Sequence, residues 1–211
     1  MARRLPRRPF LYAIVDVDAL GPRVPGPAAA AFARGGAALV QLRAKSVPDR
    51  RLYALGEEVR DAARAGGALF VVNDRPDVAL LLGADGVHLG QDDVPPAEAR
   101  RLLGEDVIIG RSTHSLAQLR AALREPVDYV AIGPVFATAT KADAEAVVGL
   151  ELLRAARALT ERPLVAIGGI DRDRAAQVVA AGADGLAVIQ ALLEGADLEG
   201  SARAFVAAMN R

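Results

Sequence analysis

Short apolar runs alternate with amphipathic stretches along almost the whole 211-residue chain. The apolar runs have the length of strands buried on both faces, and the stretches between them have helical spacing. The predicted strands are Phe10–Val15, Ala37–Leu42, Leu69–Val72, Gly86–Leu89, Val107–Ile109, Val127–Ile132, Leu164–Ile167 and Gly185–Ile189. The predicted helices are Pro27–Arg34, Pro48–Ala65, Val78–Leu82, Pro95–Leu103, Leu116–Leu123, Leu150–Leu159, Asp173–Ala181 and Ala191–Met209. Eight such pairs predict an α/β fold, a single (β/α)8 TIM barrel, with a doubly wound open sheet as the alternative.

Polar residues follow the third and fourth predicted strands where each one ends. Asp74 lies directly after the third strand, and Asp93 lies in the loop after the fourth. The carboxyl ends of neighbouring parallel strands meet on one rim, so both carboxylates could ligate one Mg²⁺. The alternative is that loops after strands are polar anyway and that aspartate there caps a helix.

Composition excludes several classes of function. Lys plus Arg (26) equals Asp plus Glu (26), so no overall field attracts nucleic acid or a membrane. The absence of cysteine excludes thiol nucleophiles and thiolate metal sites. No apolar run is long enough to span a bilayer. The basic start, residues 1–9, lacks the apolar core of a signal peptide. We therefore expect one domain over residues 1–211 in a cytoplasmic protein, with 1–9 as a flexible tail.

The second strand ends in three long polar side chains at alternate positions, Gln41, Arg43 and Lys45. Alternation puts all three on the side of the strand that faces the mouth of the barrel. Two cations there need an anionic partner, because burying them unpaired is unfavourable. We favour a phosphate or pyrophosphate ligand, and the alternative is an internal ion pair with Asp16 or Asp74.

Further groups that could bind phosphate follow the later strands. Ser112 follows the fifth strand, where Ser115 is expected to cap the next helix. The loop 133–147 is long for a barrel and carries Thr138, Thr140 and Lys141, which suit an anion but also a solvated loop. After the seventh and eighth strands, Gly168-Gly169 and Ile189-Gln190 form the usual phosphate-binding loops of such barrels.

Seven motifs together resemble the thiamine phosphate synthase family. They are QLRAK (41–45), VND (72–74), GVHLGQDD (86–93), GRSTH (110–114), GPVFATATK (133–141), AIGGI (166–170) and ADGLAVIQAL (183–192). The resemblance implies a TIM-barrel transferase of thiamine biosynthesis. Its two substrates are a hydroxymethylpyrimidine pyrophosphate and a thiazole phosphate, and its products are thiamine phosphate and pyrophosphate. The implied mechanism is positioning plus charge stabilisation with Mg²⁺, with no protein nucleophile.

The resemblance also implies a role for each matching residue. Magnesium would be bound by Asp74 and Asp93. The pyrimidine and its pyrophosphate would be bound by Gln41, Arg43, Lys45, Asn73, Ser112 and Lys141. The thiazole phosphate would be bound by Thr138, Thr140, Gly169 and the backbone of Ile189 and Gln190. Gln190 stands where the family typically has serine, and Ala44 replaces a common acidic residue at an outward-pointing position.

Three other functions share parts of this pattern. A thiazole tautomerase would share the barrel and its phosphate site but would need no pyrophosphate site. A binding protein without activity would not need the Asp74–Asp93 pair. A phosphosugar isomerase is disfavoured by the Thr-x-Thr-Lys loop. A homodimer is compatible with the sequence and is not specified by it.

Overall fold

The computed structural model describes residues 5–138 and 146–211, and within them eight parallel strands close into a barrel in sequence order. The strands are β1 (Phe10–Asp16), β2 (Leu39–Arg43), β3 (Leu69–Asn73), β4 (Gly86–Leu89), β5 (Ile108–Thr113), β6 (Tyr129–Ile132), β7 (Leu164–Ile167) and β8 (Gly185–Val188). Strand β1 pairs with both β2 and β8, which closes the sheet. The predicted TIM barrel is confirmed, and the open-sheet alternative is wrong.

A helix follows each strand on the outside of the barrel. The helices are α1 (Pro25–Arg34), α2 (Asp49–Ala65), α3 (Pro76–Leu81), α4 (Pro96–Leu103), α5 (Leu116–Ala122), α6 (Gly149–Arg157), α7 (Arg172–Ala180) and α8 (Leu198–Met209). In α2, for example, Leu52, Leu55 and Val59 recur on one face and are buried against the barrel.

The last predicted helix, Ala191–Met209, is wrong in its first part. The chain instead forms a 3₁₀ turn at Gln190–Leu192, and α8 begins only at Leu198. Gly195 between them has a φ of 77°, which a continuous helix does not allow. The Asp197 side chain then accepts from Gly200 N at 2.8 Å, which caps the new helix.

The barrel has two apolar cores because side chains alternate between its two faces. The larger core lies between the strands and the helices. The smaller core fills the barrel interior and consists of Phe10, Tyr12, Ile14, Leu39, Val71, Ile108, Tyr129, Ala131, Val165 and Ala187. The interior is thus closed below the mouth, and ligands can enter only from a rim.

Three aspartates brace the opposite, amino-terminal end of the barrel. Each directly precedes an even-numbered strand, and its carboxylate accepts from the backbone N–H of the first or second residue of the strand before it. The three bonds join Asp85 to Phe70 N, Asp128 to Ile109 N and Asp184 to Leu164 N, at 2.8, 2.7 and 2.8 Å. Each carboxylate also pairs with an arginine of an adjoining helix: Arg64, Arg100 and Arg157. The repeated Gly-Ala-Asp-Gly sequence at 83–86 and 182–185 therefore serves strand registration.

The amino-terminal segment contacts the barrel from Leu5 onwards. Leu5 packs on the interior apolar cluster, and Arg8 pairs with Asp184 at 3.0 Å. Residues 1–4 of the predicted flexible tail lie outside the described residues, and both the tail and the single domain over 1–211 stay predictions. Among the described helices, none has the length and apolar character needed to cross a membrane.

Candidate active site

Two carboxyl groups meet at the carboxyl ends of β3 and β4. Asp74 follows β3, and its carboxyl group adjoins that of Asp93. Asp74 is the only non-glycine residue with a positive φ, 65°, in the described part of the chain, and its N–H donates to His88 O at 2.8 Å. Asp93 accepts from Gly90 N at 2.6 Å. The backbone of both loops therefore holds the two carboxyl groups against each other, as their sequence positions predicted.

Two adjoining carboxyl groups are a donor set that a divalent cation can share. Burial raises the pKa of Asp93 first, because it disfavours the charged form, and the adjoining Asp74 carboxyl group raises it further, because two adjacent carboxylates repel each other. A proton or a cation relieves that repulsion. Mg²⁺ is commonly held by one or two carboxylates together with water and substrate phosphates. Asp74 and Asp93 fit this donor set. Within 5–138 and 146–211, no three or more acidic, histidine or cysteine side chains lie together in a way that could hold a metal ion.

The two cations at the end of β2 and in the loop after it, Arg43 and Lys45, both have carboxylate partners. Arg43 Nη1 lies 2.5 Å from Asp16 Oδ2, and Lys45 Nζ lies 3.0 Å from Asp74 Oδ2. The internal ion pairs that the sequence left as an alternative are therefore present. The Arg43 and Asp16 side chains are 14% and 2% exposed, whereas Lys45 is 56% exposed. Lys45 can therefore change partners more easily than Arg43.

Gln41 and Ser112 lie at the two ends of one chain of hydrogen bonds inside the barrel. Gln41 Nε2 donates to the Tyr12 hydroxyl at 2.6 Å, and the hydroxyls of Tyr12 and Tyr129 are 3.0 Å apart. His88 Nδ1 lies 2.8 Å from Tyr129 Oη, and its Nε2 lies 2.8 Å from Ser112 Oγ. This chain links two predicted site residues on opposite sides of the interior.

The sequence analysis missed the three middle members of this chain. Tyr12 and Tyr129 lie within apolar strands and resemble ordinary core residues. Their hydroxyl groups are the available signal, because a buried tyrosine hydroxyl needs a polar partner. Burial raises the pKa of both tyrosines, so they are uncharged in the folded protein.

Gly110 provides the space for the Tyr129 ring. The two residues face each other across β5 and β6, and a Cβ at Gly110 would overlap Cζ and Oη of Tyr129. The ring also stacks on His88, with their centroids 5.5 Å apart. The glycine of the GRSTH motif therefore shapes the barrel interior.

The loop after β7 packs tightly on the loop after β6. Gly168 and Gly169 have φ values of 98° and 63°, and a Cβ on either would overlap the segment Pro134–Ala137. Arg174 donates to Gly169 O at 2.8 Å. Asp171 caps α7 by accepting from Arg174 N, so the helix start already has one carboxylate acceptor. The two glycines thus have a packing role in addition to any contact with phosphate.

The remaining predicted residues are spread around the same rim. Ile189 is half-buried and Gln190 is exposed at the start of the 3₁₀ turn after β8, while Asn73 is half-buried at the end of β3. Ser115 caps α5 by accepting from Gln118 N, as expected. Thr138 is half-buried in the loop after β6. Thr140 and Lys141 lie outside the described residues.

Comparison with known proteins identifies the family. A family model described as thiamine monophosphate synthase matches residues 11–192, from β1 to the turn after β8. The chain belongs to this thiamine monophosphate synthase family. The thiamine-phosphate synthase of Moorella thermoacetica is 48% identical over 169 residues, 80% of each chain. That of Methanoculleus marisnigri is 46% identical over 193 residues, 92% of each chain. The thiamine phosphate pyrophosphorylase structure from Pyrococcus furiosus has a TM-score of 0.86 and 38% identity over 96% of each chain.

Membership of the thiamine monophosphate synthase family settles the enzyme class. The chain is a transferase of thiamine biosynthesis, as the motif resemblance implied. The phosphosugar isomerase alternative is thereby wrong, since the family match covers all eight strands.

Proposed function

We propose that this transferase joins 4-amino-2-methyl-5-hydroxymethylpyrimidine pyrophosphate to 4-methyl-5-(2-phosphoethyl)thiazole, with or without a carboxyl group on the thiazole. The products are thiamine phosphate and pyrophosphate, with carbon dioxide as a third product where the thiazole carries the carboxyl group. Family membership supports the overall reaction. The observation that carries the choice of a pyrophosphate substrate is the contact between the Asp74 and Asp93 carboxyls, with Lys45 3.0 Å from Asp74.

The acidic pair is best explained by a Mg²⁺-bound pyrophosphate. Two adjoining carboxylates with a single exposed lysine would repel a pyrophosphate unless a divalent cation lay between them. Asp74 and Asp93 would hold Mg²⁺, which when bound neutralises charge on the departing pyrophosphate. Lys45 would exchange its Asp74 partner for a phosphate oxygen, and Lys141 would contact the same anion. Asn73 is the last residue of β3, directly before Asp74, and would donate its amide N–H to the pyrophosphate.

The reaction would require positioning and charge stabilisation only. The bond from the methylene carbon to the pyrophosphate oxygen breaks, and the thiazole nitrogen forms the new bond with its lone pair. The aminopyrimidine ring stabilises positive charge on the methylene carbon meanwhile. Neither step needs a protein nucleophile. Both histidines are engaged in hydrogen bonds, which agrees with a reaction that needs no protein nucleophile. His88 bonds Tyr129 and Ser112, and His114 Nδ1 lies 2.7 Å from Gly133 O.

The two ring systems would occupy different parts of the mouth. Gln41 and Ser112 flank the centre of the barrel and would hold the pyrimidine, with Arg43 beside them held by Asp16. Thr138, Thr140, Gly169 and the backbone of Ile189 and Gln190 would hold the thiazole phosphate. Support for this division is the adjacency of the loops after β6, β7 and β8 on the rim away from Asp74.

The test is coupling of the two substrates by the purified protein, with and without Mg²⁺. We expect thiamine phosphate only when Mg²⁺ is present. Asp93→Asn keeps the shape of the side chain and removes its charge, so it should lower turnover at least a hundredfold with little change in Tm. Asp92→Asn, at the exposed neighbouring position, is the matched control and should leave turnover unchanged.

Other outcomes would point to the alternatives. Tautomer exchange of the thiazole without metal would support the tautomerase, and binding without turnover would support a binding protein. If Asp93→Asn lost its thermal stability to the same extent as its activity, the loss of activity would be explained by unfolding, and the metal role would be contradicted. A homodimer and a cytoplasmic location stay predictions.

A further inference from the structure

We propose that Tyr12 and Tyr129 are positioning residues which fix His88 as its Nε2–H tautomer and thereby point the Ser112 hydroxyl proton towards the mouth of the barrel. The role of Ser112 in binding substrate rests on the proposed function. The direction of the hydrogen bonds does not, because it can be measured in the protein without substrate.

The chain of hydrogen bonds crosses the whole barrel interior. It starts at Gln41 on β2, passes through Tyr12 on β1 and Tyr129 on β6, and ends through His88 on β4 at Ser112 on β5. The four contacts are 2.6, 3.0, 2.8 and 2.8 Å long, all of them within hydrogen-bonding distance. Both tyrosines are at most 1% exposed. Water therefore has little access to the middle of the chain.

Proton counting gives this chain one direction. A tyrosine hydroxyl has a single proton to donate, and a neutral imidazole has one donor and one acceptor nitrogen. Gln41 Nε2 donates to Tyr12, so the Tyr12 proton goes to Tyr129 and the Tyr129 proton goes to His88 Nδ1. His88 must then carry its proton on Nε2 and donate to Ser112 Oγ.

The consequence for Ser112 is that its own proton remains available. Its oxygen is already an acceptor from His88, and within 5–138 and 146–211 no recorded hydrogen bond uses the Ser112 hydroxyl as a donor to another group. Ser112 is half-buried at the carboxyl end of β5, where ligands reach the barrel. It would therefore donate to an anionic oxygen or to a ring nitrogen of the substrate. The opposite direction would make Ser112 donate to His88 and remove this donor.

The first experiment measures the tautomer directly. The protein has only two histidines, His88 and His114, so ¹⁵N-histidine labelling gives the signals of two imidazole rings. The His114→Gln variant shows which signals belong to His88. In the substrate-free wild type, at a pH where His88 is neutral, two-bond ¹⁵N–¹H correlations should show a protonated Nε2 and an unprotonated Nδ1. A protonated Nδ1 in the wild type would overturn the proposal whatever the activity.

The second test reverses the direction of the hydrogen bonds. Gln41→Glu has nearly the same shape but replaces the donor with an acceptor, so Tyr12 should now donate to it and His88 should change to its Nδ1–H tautomer. An unchanged tautomer in the folded variant would overturn the proposal. Tyr53→Phe removes an exposed tyrosine that takes no part in this series of hydrogen bonds, so it should leave the tautomer of His88 unchanged.

Kinetics connect the tautomer to the reaction. Tyr129→Phe should lower kcat about tenfold, the effect of one neutral hydrogen bond lost in the transition state. In the Ser112→Ala background it should have almost no further effect on kcat, because it acts through Ser112. If the fold-decreases in kcat of Tyr129→Phe and Ser112→Ala multiplied in full in the double variant, the proposal would be overturned. Absence of thiamine phosphate with the wild type would instead contradict the proposed function and leave the tautomer result standing.

Discussion

Gly110→Ala is expected to be strongly destabilising because it removes the space occupied by the Tyr129 ring. The added Cβ would overlap Cζ and Oη of that ring, which is fully buried and stacked on His88. Overpacking costs about 1–3 kcal/mol, and a buried hydroxyl that loses its partners costs a similar amount. The free energy of unfolding should therefore fall by about 2–6 kcal/mol, a large part of the usual total.

Thermal unfolding followed by circular dichroism measures this effect. For a domain of this size, Tm should fall by about 5–20 °C. Gly26→Ala is the matched control, since a Cβ there would lie 3.5 Å from its nearest neighbour, an ordinary contact. In α1 it should be neutral or stabilising by up to about 1 kcal/mol.

A double variant separates loss of space from loss of backbone freedom. Tyr129→Leu removes the overlapping atoms, so Gly110→Ala should cost much less in that background than in the wild type. Gly110 is not among the glycines with positive φ, so backbone strain gives no reason for a large cost. An equal cost in both backgrounds would refute the steric explanation.

Three further predictions concern other parts of the molecule. Asp184→Ala should lower the free energy of unfolding by about 1–3 kcal/mol, because it leaves the buried Leu164 N–H without its acceptor and removes the carboxylate partner of Arg157, while KM stays unchanged. Mg²⁺ with pyrophosphate at a hundred times Kd should stabilise the wild type by about 2.7 kcal/mol, and Asp93→Asn should lose this shift in Tm. Burial raises the pKa of Tyr12 and Tyr129, whereas unfolded tyrosine ionises from about pH 10, so their contribution to stability is lost as the pH rises above that value. The Tyr53→Phe variant keeps only these two tyrosines. If its tyrosinate absorbance rose with pH before the helical circular dichroism signal was lost, this prediction would be contradicted.

The fold was predictable because the barrel depends on a local pattern. Each strand is a short apolar run, and each helix has its own spacing, so neither needs a distant partner to be recognised. Asp74 and Asp93 were predictable for the same reason, because consecutive parallel strands bring their ends together. The start of α8 was not, since alanine and leucine at 191–193 continue a helical pattern that Gly195 and Asp197 interrupt.

The interior of the site was not predictable because it depends on barrel closure. Tyr12 and Tyr129 are 117 positions apart, and only the curvature of the closed sheet brings their hydroxyls together. The sequence places both tyrosines in strands but shows neither which face of each strand is turned inwards nor which residue lies opposite.

The partners of Arg43 and Lys45 show why residue type alone could not decide between ion pair and ligand site. Both cations were expected at the mouth, and both have carboxylate partners there. Breaking a buried pair such as Arg43–Asp16 costs about 3–5 kcal/mol, whereas an exposed pair such as Lys45–Asp74 contributes about 0–1 kcal/mol. Only Lys45 can therefore leave its carboxylate for a phosphate at little cost. Arg43 would instead bind with its remaining N–H groups while Asp16 holds it in place. On the proposed function the two alternatives describe one site, and burial decides which cation would exchange its partner.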